Sequence, residues 1–202
     1  MNIIILEITM TARSFYILTV LALLGLMSTG VGEAKPDGPF YPVKENGLWG
    51  YIDQTGTVVI KPRFEQAGDF SEGLARVKIG GRWAYLDQTL NIRIEPKFQD
   101  ARDFSAGLAA VLFEGKWGYI DQKGKFVIVL EGKFKEVRDF SEGLAPVKIG
   151  EKWGYINPSG SVVIEPKFAY GEPFKHALAR VKVGNLLAYL NKEGTLVWKA
   201  KE

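Results

Sequence analysis

Apolar and polar residues alternate from position 74 to 79, which reads LARVKI. Ala75, Val77 and Ile79 are separated by Arg76 and Lys78. A period of two predicts a β-strand. The same pattern returns as LAAVLF at 108–113, LAPVKI at 144–149 and LARVKV at 178–183. Each run meets a tight turn: Gly80-Gly81, Glu114-Gly115, Gly150-Glu151 and Gly184-Asn185. These residues tolerate positive φ and close hairpins. A second strand follows, as WGYID at 49–53 and 117–121, WAYLD at 83–87, WGYIN at 153–157 and LAYLN at 187–191. Trp and Tyr share one face of it, Gly or Ala and Ile or Leu the other. Both faces are apolar, which predicts the central, most buried strand. A glycine inside a strand marks close approach by another group, and the expected cover is an aromatic ring from a neighbouring unit. The next turn is D-x-x-G or N-x-x-G, at Asp53–Gly56, Asp121–Gly124, Asn157–Gly160 and Asn191–Gly194. Asp or Asn opens such a turn through its own side chain, and Gly closes it in the left-handed region. Leu90 stands where that Gly belongs in the second unit, so its turn is expected to be strained or reshaped. A third strand reads TVVI, NIRI, KFVI, SVVI and TLVW in the five units.

The tryptophans set the register of a repeat. Trp49, Trp83, Trp117 and Trp153 recur at intervals of 34, 34 and 36, and Leu187 stands 34 further on. Phe64, Phe98 and Phe168 each stand fifteen positions after their Trp, whereas Phe134 stands seventeen after Trp117. Phe70, Phe104, Phe140 and Phe174 come six after those. The irregularity is an insertion near 129–132, where I-x-P-x-F becomes IVLEGKF. These twelve aromatics form the expected structural core of the repeat, the phenylalanines pinning each linker. Pro42 and Pro146 sit seven positions before their Trp. Proline cannot donate to a ladder, so the first strand is expected to lie at an edge or fray there. The first unit lacks the opening G-L-A and the fifth lacks the P-x-F linker, as the end members of a stacked array do. The fold class is therefore all-β: about five three-stranded antiparallel meanders in an open, solenoid-like stack. The alternative is a closed, propeller-like ring, whose blades ordinarily have four strands. The repeat domain spans 36–202, with units near 39–72, 73–106, 107–142, 143–176 and 177–200.

The pattern changes before residue 35. Positions 14–27 read SFYILTVLALLGLM without charge, Arg13 precedes them, and small residues follow to Ala34. A basic flank, a short apolar run and small residues form a secretory signal, with cleavage after Ala34 or Gly30. Segment 1–34 is thus a signal peptide or, alternatively, an uncleaved anchor, and Met1 or Met10 is the start. The expected location is the periplasm, envelope or exterior.

Composition narrows the chemistry. Of 202 residues, 47% are hydrophobic and 24% charged, enough apolar material for one sizeable core. Cysteine is absent, which excludes disulfides, thiolate nucleophiles and cysteine–metal sites. The net charge of +3 is spread along the chain, unlike the clustered patch of a nucleic-acid binder.

With W-G-Y-I-D, a following G, V-I, P-x-F and F-S-E-G-L-A-x-V in register, residues 39–202 resemble the bacterial WG (KWG) repeat family. The resemblance implies a β-rich module found in many copies, in exported or envelope proteins among others. It brings no shared catalytic residues and no general ligand. The fifth unit departs at the Trp itself, with Leu187-Ala188.

Each feature that suggests chemistry has a plainer account. Aromatics repeated along an array can stack on sugars or on bases, but a Trp-Gly pair on a central strand packs into a core, and Tyr51, Tyr85, Tyr119, Tyr155 and Tyr189 share that face. Tyr41, Tyr170 and Trp198 lie outside the pattern and are freer to be exposed. Asp53, Asp87 and Asp121 cap turns, each unit offering one oxygen cluster where calcium needs six to eight ligand atoms. The linker acids Asp69, Glu72, Asp103, Asp139, Glu142 and Glu172, with Arg102 and Arg138, recur as a solvated face recurs, whereas a catalytic carboxylate pair breaks a repeat. His176, the single histidine, replaces the Glu of F-S-E-G and reads as a surface change. No catalytic, cofactor or metal residue is assigned.

The function expected is an exported, non-enzymatic module for protein binding or scaffolding in the cell envelope. A polysaccharide or cell-wall module working through exposed aromatics is the alternative, and a glycoside hydrolase a third reading. The partner is an envelope protein or a glycan, with no nucleic acid. The candidate partner surface comprises Arg76, Arg82, Lys116, Lys152, Arg180, Tyr41 and Tyr170, with Ala110 and Pro146 at the same outward position as Arg76.

Overall fold

The computed structural model describes residues 38–132 and 134–201. The export segment expected at 1–34 lies outside the described residues. Among the described residues every regular element is a strand.

Five antiparallel sheets follow one another along the chain. The first contains β1 (Tyr41–Glu45), β2 (Leu48–Ile52) and β3 (Val58–Phe64). The second contains β4 (Gln66–Ala67), β5 (Leu74–Ile79), β6 (Arg82–Asp87) and β7 (Ile92–Phe98). The third holds β8 (Asp100–Ala101), β9 (Ala109–Phe113), β10 (Lys116–Ile120) and β11 (Phe126–Val129). The fourth holds β12 (Phe134–Val137), β13 (Ala145–Ile149), β14 (Lys152–Ile156) and β15 (Val162–Phe168). The fifth holds β16 (Tyr170–Gly171), β17 (Leu178–Val183), β18 (Leu186–Asn191) and β19 (Leu196–Lys199). Strand order in each sheet is sequential, so every unit is an up-and-down meander.

The three meander strands stand where the sequence puts them, and the linker adds a short fourth. Gln66 and Ala67 pair with Lys78 and Val77, and Tyr170 and Gly171 with Lys182 and Val181. The linker thus belongs by hydrogen bonding to the following sheet, and the sheet boundaries fall several positions before the unit boundaries drawn from the sequence. The first sheet, with three strands, leaves β1 at its edge. Pro42 therefore costs no ladder bond. In the fourth sheet β12 stops at Val137, opposite Val147, so Pro146 sits just past the last paired position. Pro42 meets the expectation of an unpaired side, whereas Pro146 is met there by the linker, Arg138 N donating to its carbonyl at 2.9 Å.

The third strand runs on through P-x-F. Tyr51 pairs with Ile60 but Trp49 with Phe64, so two surplus residues around Pro62 bulge outward. The bulge carries backbone across the glycine: a Cβ on Gly50 would stand 2.3 Å from the Ile60 carbonyl oxygen and 2.8 Å from Pro62 N. Gly154 meets Ile164 and Pro166 at 2.4 and 2.8 Å. The cover is therefore the unit's own third strand, not a ring from the neighbouring unit. A bulge twists its strand, and glycine leaves the room. Unit 3 lacks the bulge: Gly118 pairs with Val129, and Leu130 N donates to the Trp117 carbonyl at 3.0 Å. Leu130 is buried beside Trp117, and Phe134 begins the next sheet instead.

The sheets stack face to face. Trp83, Tyr85, Ile94 and Phe98 of the second sheet pack on Ala109, Val111 and Ile120 of the third. Equivalent clusters join the other neighbours. Alanine on the receiving face lets a tyrosine ring approach closely. Tyr51, Tyr85, Tyr119 and Tyr155 have no exposed surface, each contributing about 2–3 kcal/mol of burial. Each hydroxyl donates to a carbonyl in the next unit's linker: Gly68, Arg102, Arg138 and Glu172, at 2.7–2.9 Å. Ser71, Ser105 and Ser141 stitch successive linkers, donating to the Phe104, Phe140 and Phe174 carbonyls. The F-S-E-G turns are two-residue hairpins with both central residues at positive φ, as Glu72 at 50° and Gly73 at 83° show.

The stack is open. Tyr189, the fifth member of the tyrosine series, is 36% exposed, and Trp198 beside it is 51% exposed. A closed ring would cover both.

Candidate binding surfaces

The tryptophans and most phenylalanines fill the core expected of them. Trp83, Trp117 and Trp153 are buried, as are Phe64, Phe98, Phe104, Phe140, Phe168 and Phe174. Trp49, Phe70 and Phe134 are half-buried. The Asp turns are also structural. Asp53 Oδ1 accepts from Thr55 N, the Thr55 hydroxyl and Thr57 N, and the Thr55 hydroxyl is the main group holding its carboxyl below the usual range. Asp87 and Asp121 accept from Thr89 N and Lys123 N in the same way, as does the Asn157 amide oxygen from Ser159 N. Leu90 keeps the turn of its sister units, with Leu90 N donating to the Asp87 carbonyl, and does so at a φ of 63°. The turn is strained, not reshaped.

The candidate partner residues separate into two groups. Arg82, Lys116 and Lys152 are exposed beside the hairpin turns, Tyr41 is 48% exposed at the first edge, and Arg180 is exposed. Arg76 and Tyr170 are engaged between units. Arg76 Nη1 donates to the Ala101 carbonyl at 2.7 Å, and its Nε lies 2.9 Å from Asp103. Tyr170 accepts a hydrogen bond from Arg138 Nη1 at 3.1 Å, and the Arg138 guanidinium lies 4.6 Å from the ring centres of both Tyr170 and Trp153. Ala110 and Pro146 are buried. Their position faces the next unit, since it stands opposite the stacking tyrosine: Ala110 pairs with Tyr119 and Pro146 with Tyr155.

The linker charges divide: Asp69, Glu72 and Glu142 are exposed, as a solvated face requires, while others are drawn inward. Arg76, Asp103, Arg102 and Asp139 carry buried polar atoms. Burial pushes the Asp139 carboxyl above its ordinary range, with Arg102 as the largest opposing influence. Within this group Arg76 pairs with Asp103 of the following linker at 2.9 Å, which ties one unit to the next.

Two apolar surfaces remain. One is the open face of the fifth sheet, where Tyr189 and Trp198 meet edge to face at 6.0 Å. Arg180 stands opposite Tyr189 and forms a two-pronged ion pair with Glu172. The other is a cleft of about 240 Å³ at unit 3, lined by Phe113, Glu114, Lys116, Trp117, Phe126 and Val129. Sequence reasoning grouped Tyr189 with the buried tyrosines and did not assign Phe113, Phe126 or Val129. The signals were the fifth unit's lack of a P-x-F linker and the insertion after Ile128.

The geometry defines an all-β tandem-repeat protein whose units stack through one recurrent interface. The family model for the WG containing repeat matches residues 49–83, 83–117, 117–153 and 153–186, and the chain belongs to that family. No curated protein matches it in sequence. Among solved structures, the dihydro-heme d1 dehydrogenase NirN in complex with DHE is similar with a TM-score of 0.56 and 15% identity, covering 89% of this chain and 47% of that one. A eukaryotic initiation factor is similar with a TM-score of 0.54 and 9% identity, covering 82% and 53%. The WD40 beta propeller domain of Doa1 has a TM-score of 0.45 and 9% identity, covering 81% and 64%. The chain spans about half the length of the first two. At these identities the likeness to those two is one of fold.

Proposed function

We propose that this chain is an exported, non-enzymatic repeat module that binds a protein partner in the cell envelope. The observation that carries the reading is the open face of the fifth sheet. In the four units before it the same face is covered by a following unit, and its tyrosine is fully buried. In the fifth unit the face ends in Tyr189 and Trp198, two large aromatics left in solvent. Exposed aromatics with an arginine nearby are the residues that dominate protein interfaces. Export rests on the sequence of segment 1–34 alone.

The sugar-binding alternative calls for a row of accessible rings along the array. The tyrosines of units 1–4 and the tryptophans of units 2–4 are buried, so no such row crosses the described units.

The test uses the full chain expressed in its host with a C-terminal affinity tag. Cell fractionation is expected to place it outside the cytoplasm, and in-cell crosslinking to capture an envelope protein. Trp198→Ser with Tyr189→Ser is expected to lose that capture while the fold, read by circular dichroism, is retained. A cytoplasmic location, or capture indifferent to both substitutions, refutes the reading.

A further inference from the structure

The cleft in unit 3 exists because the repeat changes course there. In units 1 and 4 the I-x-P bulge folds across the central glycine, and Pro62 N and Pro166 N sit within 2.8 Å of where a glycine Cβ would stand. In unit 3 no proline follows Ile128. From Ile128 onward the third strand keeps plain register, Tyr119 with Ile128 and Gly118 with Val129. The nearest cover over Gly118 is then the Ile128 carbonyl at 2.7 Å and the Phe126 ring at 3.0 Å. Beside that ring lies the cleft, walled by Phe113, Trp117 and Val129.

Three further facts bear on what fits there. The walls are aromatic, Phe113 and Phe126 lying 5.9 Å apart between ring centres. Strand β11 is an edge of its sheet, so one side of its backbone is open to an added strand. Its outward residues Val127 and Val129 are 54% and 57% exposed, and Glu114 and Lys116 stand exposed at the rim.

We propose that this cleft binds an extended peptide segment of a partner protein with the form apolar-x-Pro, its proline lying against Phe113, Trp117 and Phe126, beside the central glycine that Pro62 and Pro166 cross in the sister units. The chemistry suits the site. The proline ring already fixes its own φ and leaves no N–H unsatisfied against aromatic walls. Aromatic grooves recognise such segments because little conformational entropy is lost on binding. The rim charges suit a charged residue in the middle position, where units 1, 2 and 4 carry Lys61, Glu95 and Glu165.

The test is fluorescence anisotropy of the full chain with a labelled peptide of the sequence 162–168, VVIEPKF. Saturable binding is expected. It should weaken by tenfold or more, about 1.4 kcal/mol, when the peptide proline is replaced by alanine or the protein carries Val129→Glu, a change at an exposed position. A second variant replaces residues 129–133 with Glu-Pro-Lys, which restores the repeat spacing. It is expected to fill the cleft from within and abolish binding while remaining folded. Trp198→Ser is expected to leave binding unchanged, which separates this site from the open end. Absence of saturation at millimolar peptide, indifference to the proline or to Val129→Glu, or loss of binding in Trp198→Ser overturns the proposal.

Discussion

Units 4 and 5 share the landmark tyrosine of the central strand with opposite fates. Tyr155 and Tyr189 occupy one register position on the central strands of consecutive units. Tyr155 has no exposed surface and its hydroxyl donates to the Glu172 carbonyl at 2.9 Å. Tyr189 is 36% exposed and rests against Trp198. What differs is the neighbour: unit 4 has a following sheet with Ala179, Val181, Ala188 and Leu190 facing it, and no sheet covers unit 5 among the described residues. In a stacked array, burial belongs to the interface and not to the residue.

Truncating the two tyrosines breaks the comparison most directly. Tyr155→Ala is expected to cost about 3–5 kcal/mol, the range for a buried aromatic, whereas Tyr189→Ala is expected to cost less than about 1 kcal/mol. Denaturant unfolding of both variants measures the gap, and equal losses would mean that unit 5 is covered in solution. The next effect in size comes from pH. Burial holds the phenols of Tyr51, Tyr85, Tyr119 and Tyr155 well above the usual tyrosine range. The unfolded chain ionises near pH ~10 while the folded one keeps these protons. Stability from the four groups is therefore fully present below about pH 10 and declines as pH rises beyond it. Denaturant midpoints taken across that range should fall, and should fall less steeply in Tyr155→Phe. The smallest effect lies in the turn between the two units. Ala177 stands at a φ of 65° where Gly73, Gly107 and Gly143 stand in the sister turns. A left-handed alanine costs about 1–2 kcal/mol, partly offset by the greater entropy of an unfolded glycine. Ala177→Gly should thus raise stability by roughly 0.5–1 kcal/mol, read as a higher midpoint. An unchanged midpoint would place the strain elsewhere.

The same contrast separates what could be read along the chain from what could not. The period-two runs located the three principal strands of each unit, the Asp and Asn turns and their glycines located the reversals, and the tryptophan spacing counted the units. These are local properties, set by side-chain alternation and by the φ values a residue tolerates. The fourth strand was missed because two residues in a polar linker carry no alternation; their pairing is decided by the sheet they reach. Arg76, Ala110 and Pro146 were placed outward because their strand has a nominal polar side, and that side meets the next unit. The unit 3 cleft was visible only as a two-residue irregularity.

Sequence by itself determined that this chain is a WG-repeat array of five antiparallel β units with aromatic cores, because strand periodicity and turn chemistry act within a few residues. Only the tertiary structure decided which identical residues are hidden and which are offered to a partner. Burial depends on what stands across the interface, and no single repeat contains that information.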